Sequence, residues 1–244
     1  MRLYFASPNT HPLAQAVVGK YVLESFAIRW KPYWRYRRSF AGLMLDSGAF
    51  SEINSGKSIS VDAYGEYAAK HDGDYELVVN LDDIGGDLKR SQANERRLRE
   101  VYGLDPMPVF HQGEPWSVLS EYCDRSGYVG LGFQRPLNGR EQRRGWLEKC
   151  FAEVPAGHQL HGFAMTGYMG AFPFASVDST TWIRDYLGIA HGDNARIGAL
   201  ARFLTPLEIM EVVVKRWERM PRCTSWSNLD RPSPQLGLFD EGGR

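Results

Sequence analysis

Short apolar runs separated by turn residues recur along this chain. Eight of them have the length and the β-branched or aromatic content of buried strands: Leu3–Ala6, Tyr21–Ile28, Leu43–Leu45, Leu77–Leu81, Pro108–Phe110, Tyr128–Leu131, Leu160–Ala164 and Phe174–Val177. Helical patterns fall between most of them, at Val61–Lys70, Asp87–Tyr102, Trp116–Cys123 and Arg140–Phe151. Two more follow the eighth run, over Thr181–Leu187 and Thr205–Met220, the second opened by Thr205, Pro206 and Glu208. Alternating β and α units with eight strands predict an α/β fold, a (β/α)8 TIM barrel. The second connection, Arg29–Gly42, does not read as helix, so the barrel is expected to be somewhat irregular, with a doubly wound open sheet as the alternative. Beyond Pro221 the chain turns to Ser, Pro and Gly without apolar periodicity. The expected organisation is one barrel over residues 1–221 and a disordered C-terminal tail over 222–244.

Composition narrows the function classes. With 244 residues, 43% of them hydrophobic, the chain can bury one large core. Lys plus Arg equals Asp plus Glu at 29 each, so any polyanion must be held by a local patch and not by an overall field. The three cysteines, Cys123, Cys150 and Cys223, are odd in number and far apart, which speaks for a reduced, cytoplasmic protein without paired-cysteine zinc spacing. The histidines form no ligand spacing either, and no metal is expected. No apolar run reaches the length of a membrane span, and the N-terminus lacks a signal-peptide stretch.

In α/β barrels the active site is built where the strands end. Here those ends are polar: Asp46-Ser47-Gly48, Asn80-Leu81-Asp82-Asp83, His111-Gln112-Gly113, Gly130-Leu131-Gly132 and Asp178-Ser179-Thr180. Singly, each reads as a turn or a helix N-cap. Three carboxylates at equivalent ends read together as a site, of the kind suited to displacement at a sugar C1. His111 stands at a strand end, in reach of a ligand, whereas His158 and His161 flank Leu160 and read as strand packing or edge.

Leu45-Asp46-Ser47-Gly48-Ala49-Phe50 resembles the Asp-Ser-Gly-Gly-Phe signature of tRNA-guanine transglycosylases, and Ser176-Val177-Asp178-Ser179-Thr180-Thr181-Trp182 is similar to the nucleophile segment of their DNA-acting, phage-type relatives, often called DpdA. The resemblance runs in matching order over Met1–Gly188, with Val79–Asp82, Pro108–Glu114 and Gly130–Gly132 where the family holds its base-recognition elements. It implies Asp178 as nucleophile, Asp46 as general acid/base, and Asp82 reading the amide and amine edge of the purine. Gln112, His111, Gly130 and Gly132 would line the base pocket, with Phe50 as a stacking wall. The Cys-x-Cys-x-x-Cys segment of the zinc-dependent tRNA enzymes is missing, which points to the compact DNA branch.

The implied reaction exchanges guanine in DNA for a 7-deazaguanine base, such as 7-cyano-7-deazaguanine, by double displacement and without a cofactor. A tRNA exchanger that has lost its zinc, or a catalytically silent nucleic-acid-binding barrel, are the alternatives. For the nucleic acid, Lys31, Trp34, Arg35, Arg37 and Arg38 alternate cation and aromatic, able to neutralise phosphates and stack bases at about 1–3 kcal/mol each. The same segment also reads as a solvated loop anchored by its aromatics. In the tail, Gln235, Leu236, Leu238 and Phe239 resemble the short motif by which DNA-associated proteins dock on the replicative sliding clamp.

Overall fold

The computed structural model describes residues 1–28, 33–50, 58–133, 139–190 and 203–223. Eight parallel strands form one sheet: β1 (Arg2–Ala6), β2 (Tyr21–Ser25), β3 (Gly42–Asp46), β4 (Leu77–Val78), β5 (Val109–His111), β6 (Tyr128–Gly132), β7 (Gln159–Gly162) and β8 (Ser176–Ser179). Their order is β4-β3-β2-β1-β8-β7-β6-β5. A parallel bridge between Val79 and Met107 joins the two outer strands, with Met107 N–H donating to Val78 O and Asn80 N–H to Met107 O. The fold is therefore an irregular (β/α)8 barrel, and its weakest seam is the two-residue β4.

Strand parity explains the core. Side chains alternate across a strand, so Leu3, Phe5, Val22, Leu43, Phe110, Val129, Leu131, Leu160 and Val177 face the surrounding helices. Tyr4, Ala6, Leu23, Met44, Val79, Met107 and Val109 fill the barrel interior. Both faces are covered, as a parallel sheet requires. At the mouth the inward positions turn polar, and there the packed interior gives way to the site.

The helices around the sheet are α1 (His11–Ala16), α2 (Tyr33–Tyr36), α3 (Val61–Lys70), α4 (Leu88–Tyr102), α5 (Trp116–Arg125), α6 (Arg140–Glu153), α7 (Thr181–Ala190) and α8 (Pro206–Glu218). Their starts are set by local chemistry. Ser60 and Asp87 cap α3 and α4 by accepting the Ala63 and Arg90 amides, and Thr205 with Glu208 forms a capping box on α8. Gly103, at φ 67°, ends α4. Helix α8 packs on α1 and α7, and Trp217 Nε1 donates to Asp185 at 2.8 Å. Trp182, fully buried on α7, donates to Ala6 O at 3.1 Å and meets Phe5 edge-on.

Several elements differ from the sequence reading. β2 stops at Ser25, and Phe26–Ile28 forms a 3-10 turn against which the Asp46–Gly48 loop packs. The connection expected to lack helix holds α2 and a 3-10 turn over Arg37–Ser39. β8 begins two residues later than the apolar run, so Asp178 lies within the strand and not after it. Arg222 and Cys223, assigned to the tail, are held by the barrel: Arg222 donates to Met1 O at 3.0 Å and Cys223 N–H to Met169 O at 2.8 Å. The remainder of the tail, with Gln235, Leu236, Leu238 and Phe239, lies outside the described residues.

Arg37 is buried, not displayed for phosphates. Its guanidinium lies 2.9 Å from Asp74 and 4.5 Å from the Tyr75 ring centroid, beside a buried Glu24 that accepts from Tyr75 at 2.7 Å and Tyr67 at 3.1 Å. An arginine that pairs and stacks in this way fastens the second connection to the barrel wall. Arg37→Ala is expected to lower stability by about 2–3 kcal/mol in urea unfolding, while Arg35→Ala and Arg38→Ala, at exposed positions, stay within about 0.5 kcal/mol.

Candidate active site at the barrel mouth

Asp46 ends β3. Its Oδ2 accepts the Gly48 N–H at 3.1 Å, which folds the chain into a tight turn. Gly48 has φ 85°, and a side-chain carbon there would sit 2.5 Å from Ala27 Cβ, so only glycine lets this loop pass the turn that follows β2. The Asp46 carboxylate keeps a partly accessible surface although protein surrounds it closely, the condition of a group on the floor of a concavity. That burial, together with the charges of Asp82 and Asp178, pushes Asp46 up to about 7 against the pull of the Gly48 amide. Asp46 therefore holds its proton through mildly acidic conditions and exchanges it near neutrality.

Asp82 follows β4. The neighbouring Asp83 takes the turn duties, pairing with Arg90 at 2.8 Å, receiving the Asp87 amide, and donating its own N–H to Ser91. Asp82 is thereby released to face the barrel mouth, where its Oδ2 meets His111 Nε2 in a close hydrogen bond. Burial would pull the His111 imidazole down. The hydrogen bond and charge of Asp82, with the charges of Glu114 and Asp83, outweigh it and raise His111 above its ordinary value. Glu114 Oε2 also accepts the His111 backbone N–H at 2.9 Å.

The two glycines expected to admit a base serve the side chains beside them. A carbon added at Gly132 would lie 2.6 Å from His111 Nδ1, and one at Gly130 2.7 Å from the Phe163 ring. Gly132 thus makes the space in which His111 reaches Asp82. Gln112 N–H donates to Gly132 O at 3.0 Å, and its buried side-chain oxygen has no hydrogen-bond partner among the described residues. That unmet acceptor is a place for a donor brought by a ligand. Phe50, 46% exposed, stands on the rim.

Asp178 lies on β8 with its side chain 11% exposed. Its Oδ1 accepts the Ala164 N–H at 3.0 Å and lies 3.3 Å from His161 Nε2. The amide that opens α7, Thr181 N–H, donates to Ser179 Oγ at 3.0 Å and not to Asp178. His161 corrects the sequence reading: it is fully buried inside the barrel, at the site and not in strand packing. The clue was parity, since Leu160 points outward and its neighbour must point in. His158 does hold the edge, with Nε2 2.9 Å from Cys123 O.

The structure thus brings Asp46, Asp82, His111, Gln112, Gly132, His161 and Asp178 to one end of the barrel. Arg35 and Arg38 are exposed on the second connection, Lys31 lies outside the described residues, and so does the side chain of Trp34. Among the described residues no group of three His, Cys, Asp or Glu is arranged to hold a metal ion, and no helix is long and apolar enough to cross a membrane. Comparison with family models, with curated proteins and with solved structures finds no match for this chain.

The raised Asp46 has a measurable consequence. A carboxyl that binds its proton more tightly folded than unfolded adds stability below its ordinary range, near 3.8, and loses it as pH rises towards about 7. Asp46→Asn removes this dependence. Urea unfolding should show the variant gaining on the wild type from pH 4 to 7, by on the order of 2 kcal/mol, with no further gain above pH 8. A constant offset between the two across that range would mean Asp46 ionises freely.

Proposed function

We propose that this chain is a guanine transglycosylase that exchanges guanine in DNA for a 7-deazaguanine base, such as 7-cyano-7-deazaguanine. The observation that carries the reading is the pairing of two unlike carboxylates at one barrel mouth. Asp46 is raised to about 7 by burial and by its acidic neighbours, whereas Asp178 is supplied with hydrogen-bond donors. Environments that separate two carboxyl groups in this way divide acid/base work from nucleophilic work.

In the proposed first half-reaction Asp178 attacks C1′ of the target nucleotide and the C1′–N9 bond breaks. The departing electron pair stays on guanine, which takes a proton from Asp46. In the second half-reaction the incoming base gives its N9 proton to Asp46 and attacks C1′, and Asp178 leaves. The proton that departs with one base returns with the other, so neither cofactor nor nucleoside triphosphate is consumed. The free oxygen of Asp82 accepts from the N1–H and N2 amine edge of a guanine-like base, and the buried oxygen of Gln112 offers a further acceptor. The His111 contact orients Asp82 for that task.

A duplex screens C1′, so the target nucleotide must be flipped out or single-stranded, at a cost of a few kcal/mol. Arg35 and Arg38 are the exposed cations of the second connection assigned to the phosphates; Arg37 is excluded by its burial. The missing zinc segment favours DNA over tRNA as substrate. Three buried cysteines far apart in the sequence suit a reducing, cytoplasmic compartment.

Labelled free base incubated with DNA or with tRNA tests the reading: incorporation is expected in the DNA arm. Asp178→Ala and Asp46→Asn should each lower incorporation by at least about 1,000-fold while still folding. Label entering tRNA alone would move the protein to the RNA-acting branch, and none in either arm would reject base exchange. Replacing Arg35 and Arg38 with alanine should weaken DNA binding and reduce the slope of log K against log salt by about 1–2, with affinity for free base unchanged. An unaltered slope would remove this segment from the DNA path.

A further inference from the structure

Beneath the carboxylates the barrel interior holds a file of hydrogen-bonding groups that the two half-reactions leave unused. His161 on β7 is paired in register with Ser176 on β8. Its Nδ1 lies 2.6 Å from Ser176 Oγ, and that oxygen lies 2.6 Å from the Tyr128 hydroxyl. At the other edge of the ring, Nε2 faces Asp178 Oδ1 at 3.3 Å. Aromatic neighbours fix the imidazole plane: Phe163 sits at 4.4 Å between centroids and Tyr4 at 5.9 Å, both edge-on.

The direction of the file follows from donor and acceptor accounting. Asp178 Oδ1 already accepts the Ala164 N–H, and an oxygen in that role takes a second donor, so the proton on Nε2 points at Asp178. In the neutral ring Nδ1 is then an acceptor, Ser176 donates to it, and Ser176 accepts from Tyr128. Burial raises the Tyr128 phenol above its ordinary value and so keeps it a donor. The hydrogen bonds all run one way, from Tyr128 through Ser176 and His161 to Asp178.

A second donor ends on the same atom. Ala164 N–H reaches Oδ1 at 3.0 Å from a residue at φ 54°, a left-handed conformation that costs an alanine on the order of 1 kcal/mol. No described residue donates to Oδ2. One oxygen is held from two directions and the other is left to the mouth.

We propose that His161 is a positioning residue for Asp178: with the Ala164 amide it pins Oδ1 and leaves Oδ2 as the oxygen that attacks the anomeric carbon. This role rests on the reading of Asp178 as nucleophile. As the Oδ2–C1′ bond forms and the C1′–N9 bond breaks, Oδ1 becomes the carbonyl oxygen of the ester and keeps both hydrogen bonds. In the return step the Oδ2–C1′ bond breaks, its electron pair returns to the carboxylate, and the same two donors stabilise the charge. His161 touches neither base, so its loss acts on turnover and not on base affinity.

The test uses the full chain. His161→Phe keeps a planar ring without N–H, and His161→Gln restores a donor near the place of Nε2. With folding checked by urea unfolding, His161→Phe should lower kcat about 10- to 100-fold, the worth of one hydrogen bond to a charged group. KM for the free base should stay within about twofold, and His161→Gln should recover part of the loss. A kcat equal to wild type in His161→Phe overturns the role while base exchange stands. A wild-type chain that exchanges no base on DNA or tRNA overturns the nucleophile and this role with it. One further readout needs neither activity nor a variant that folds: in the 15N-labelled wild type, the His161 imidazole resonances should show Nε2 protonated, and an unprotonated Nε2 contradicts the file outright.

Discussion

Three carboxylates held at one end of a closed ring of parallel strands cannot all be ionised without cost, and the arrangement of the site follows from how that charge is shared. Each acid has a different partner. Asp82 has the His111 imidazole, Asp178 has His161 and the Ala164 amide, and Asp46 has the Gly48 amide against desolvation and two acidic neighbours. The acid for which burial and like charge outweigh the donors is the one that keeps its proton. One fold thereby places a carboxyl raised to about 7 beside two that are held by hydrogen-bonding partners.

That sharing depends on strand parity. His111, Gly132, His161 and Asp178 all occupy inward positions on β5, β6, β7 and β8, and their outward neighbours Phe110, Leu131, Leu160 and Val177 belong to the helix-facing core. A one-residue slip in β5, β7 or β8 would exchange a histidine or an acid for an apolar side chain. Glycine completes the arrangement at two places: Gly48 lets the Asp46 loop cross the end of β2, and Gly132 opens the room that His111 needs to reach Asp82.

Much of this was legible in the chain before folding. The eight apolar runs, and the polar residues that close several of them, located the barrel and its three acids because burial on both faces of a parallel strand leaves a continuous apolar signal. What the signal does not carry is pairing across the barrel. His161 and Ser176 lie 15 residues apart in sequence and 2.6 Å apart in the interior, so a run-by-run reading assigned the histidine to packing. Arg37 failed for the opposite reason. Its neighbours Arg35 and Arg38 are exposed, and only contact with Asp74 and Tyr75, far along the chain, turns the middle cation inward. The division of labour between Asp82 and Asp83, and between Asp178 and Ser179, was likewise set by partners in space and not by spacing in sequence.

The central claim is that Asp178 forms a bond to the sugar of a nucleic acid. Its most direct measurement is mass spectrometry of the wild-type protein, denatured during reaction with guanine-containing DNA in the absence of incoming base and then digested. The account predicts a peptide carrying Asp178 with a base-free deoxyribose attached, lost in Asp178→Ala and discharged when 7-deazaguanine base is added before denaturation. Attachment at another residue, or an adduct that persists in Asp178→Ala, would contradict it.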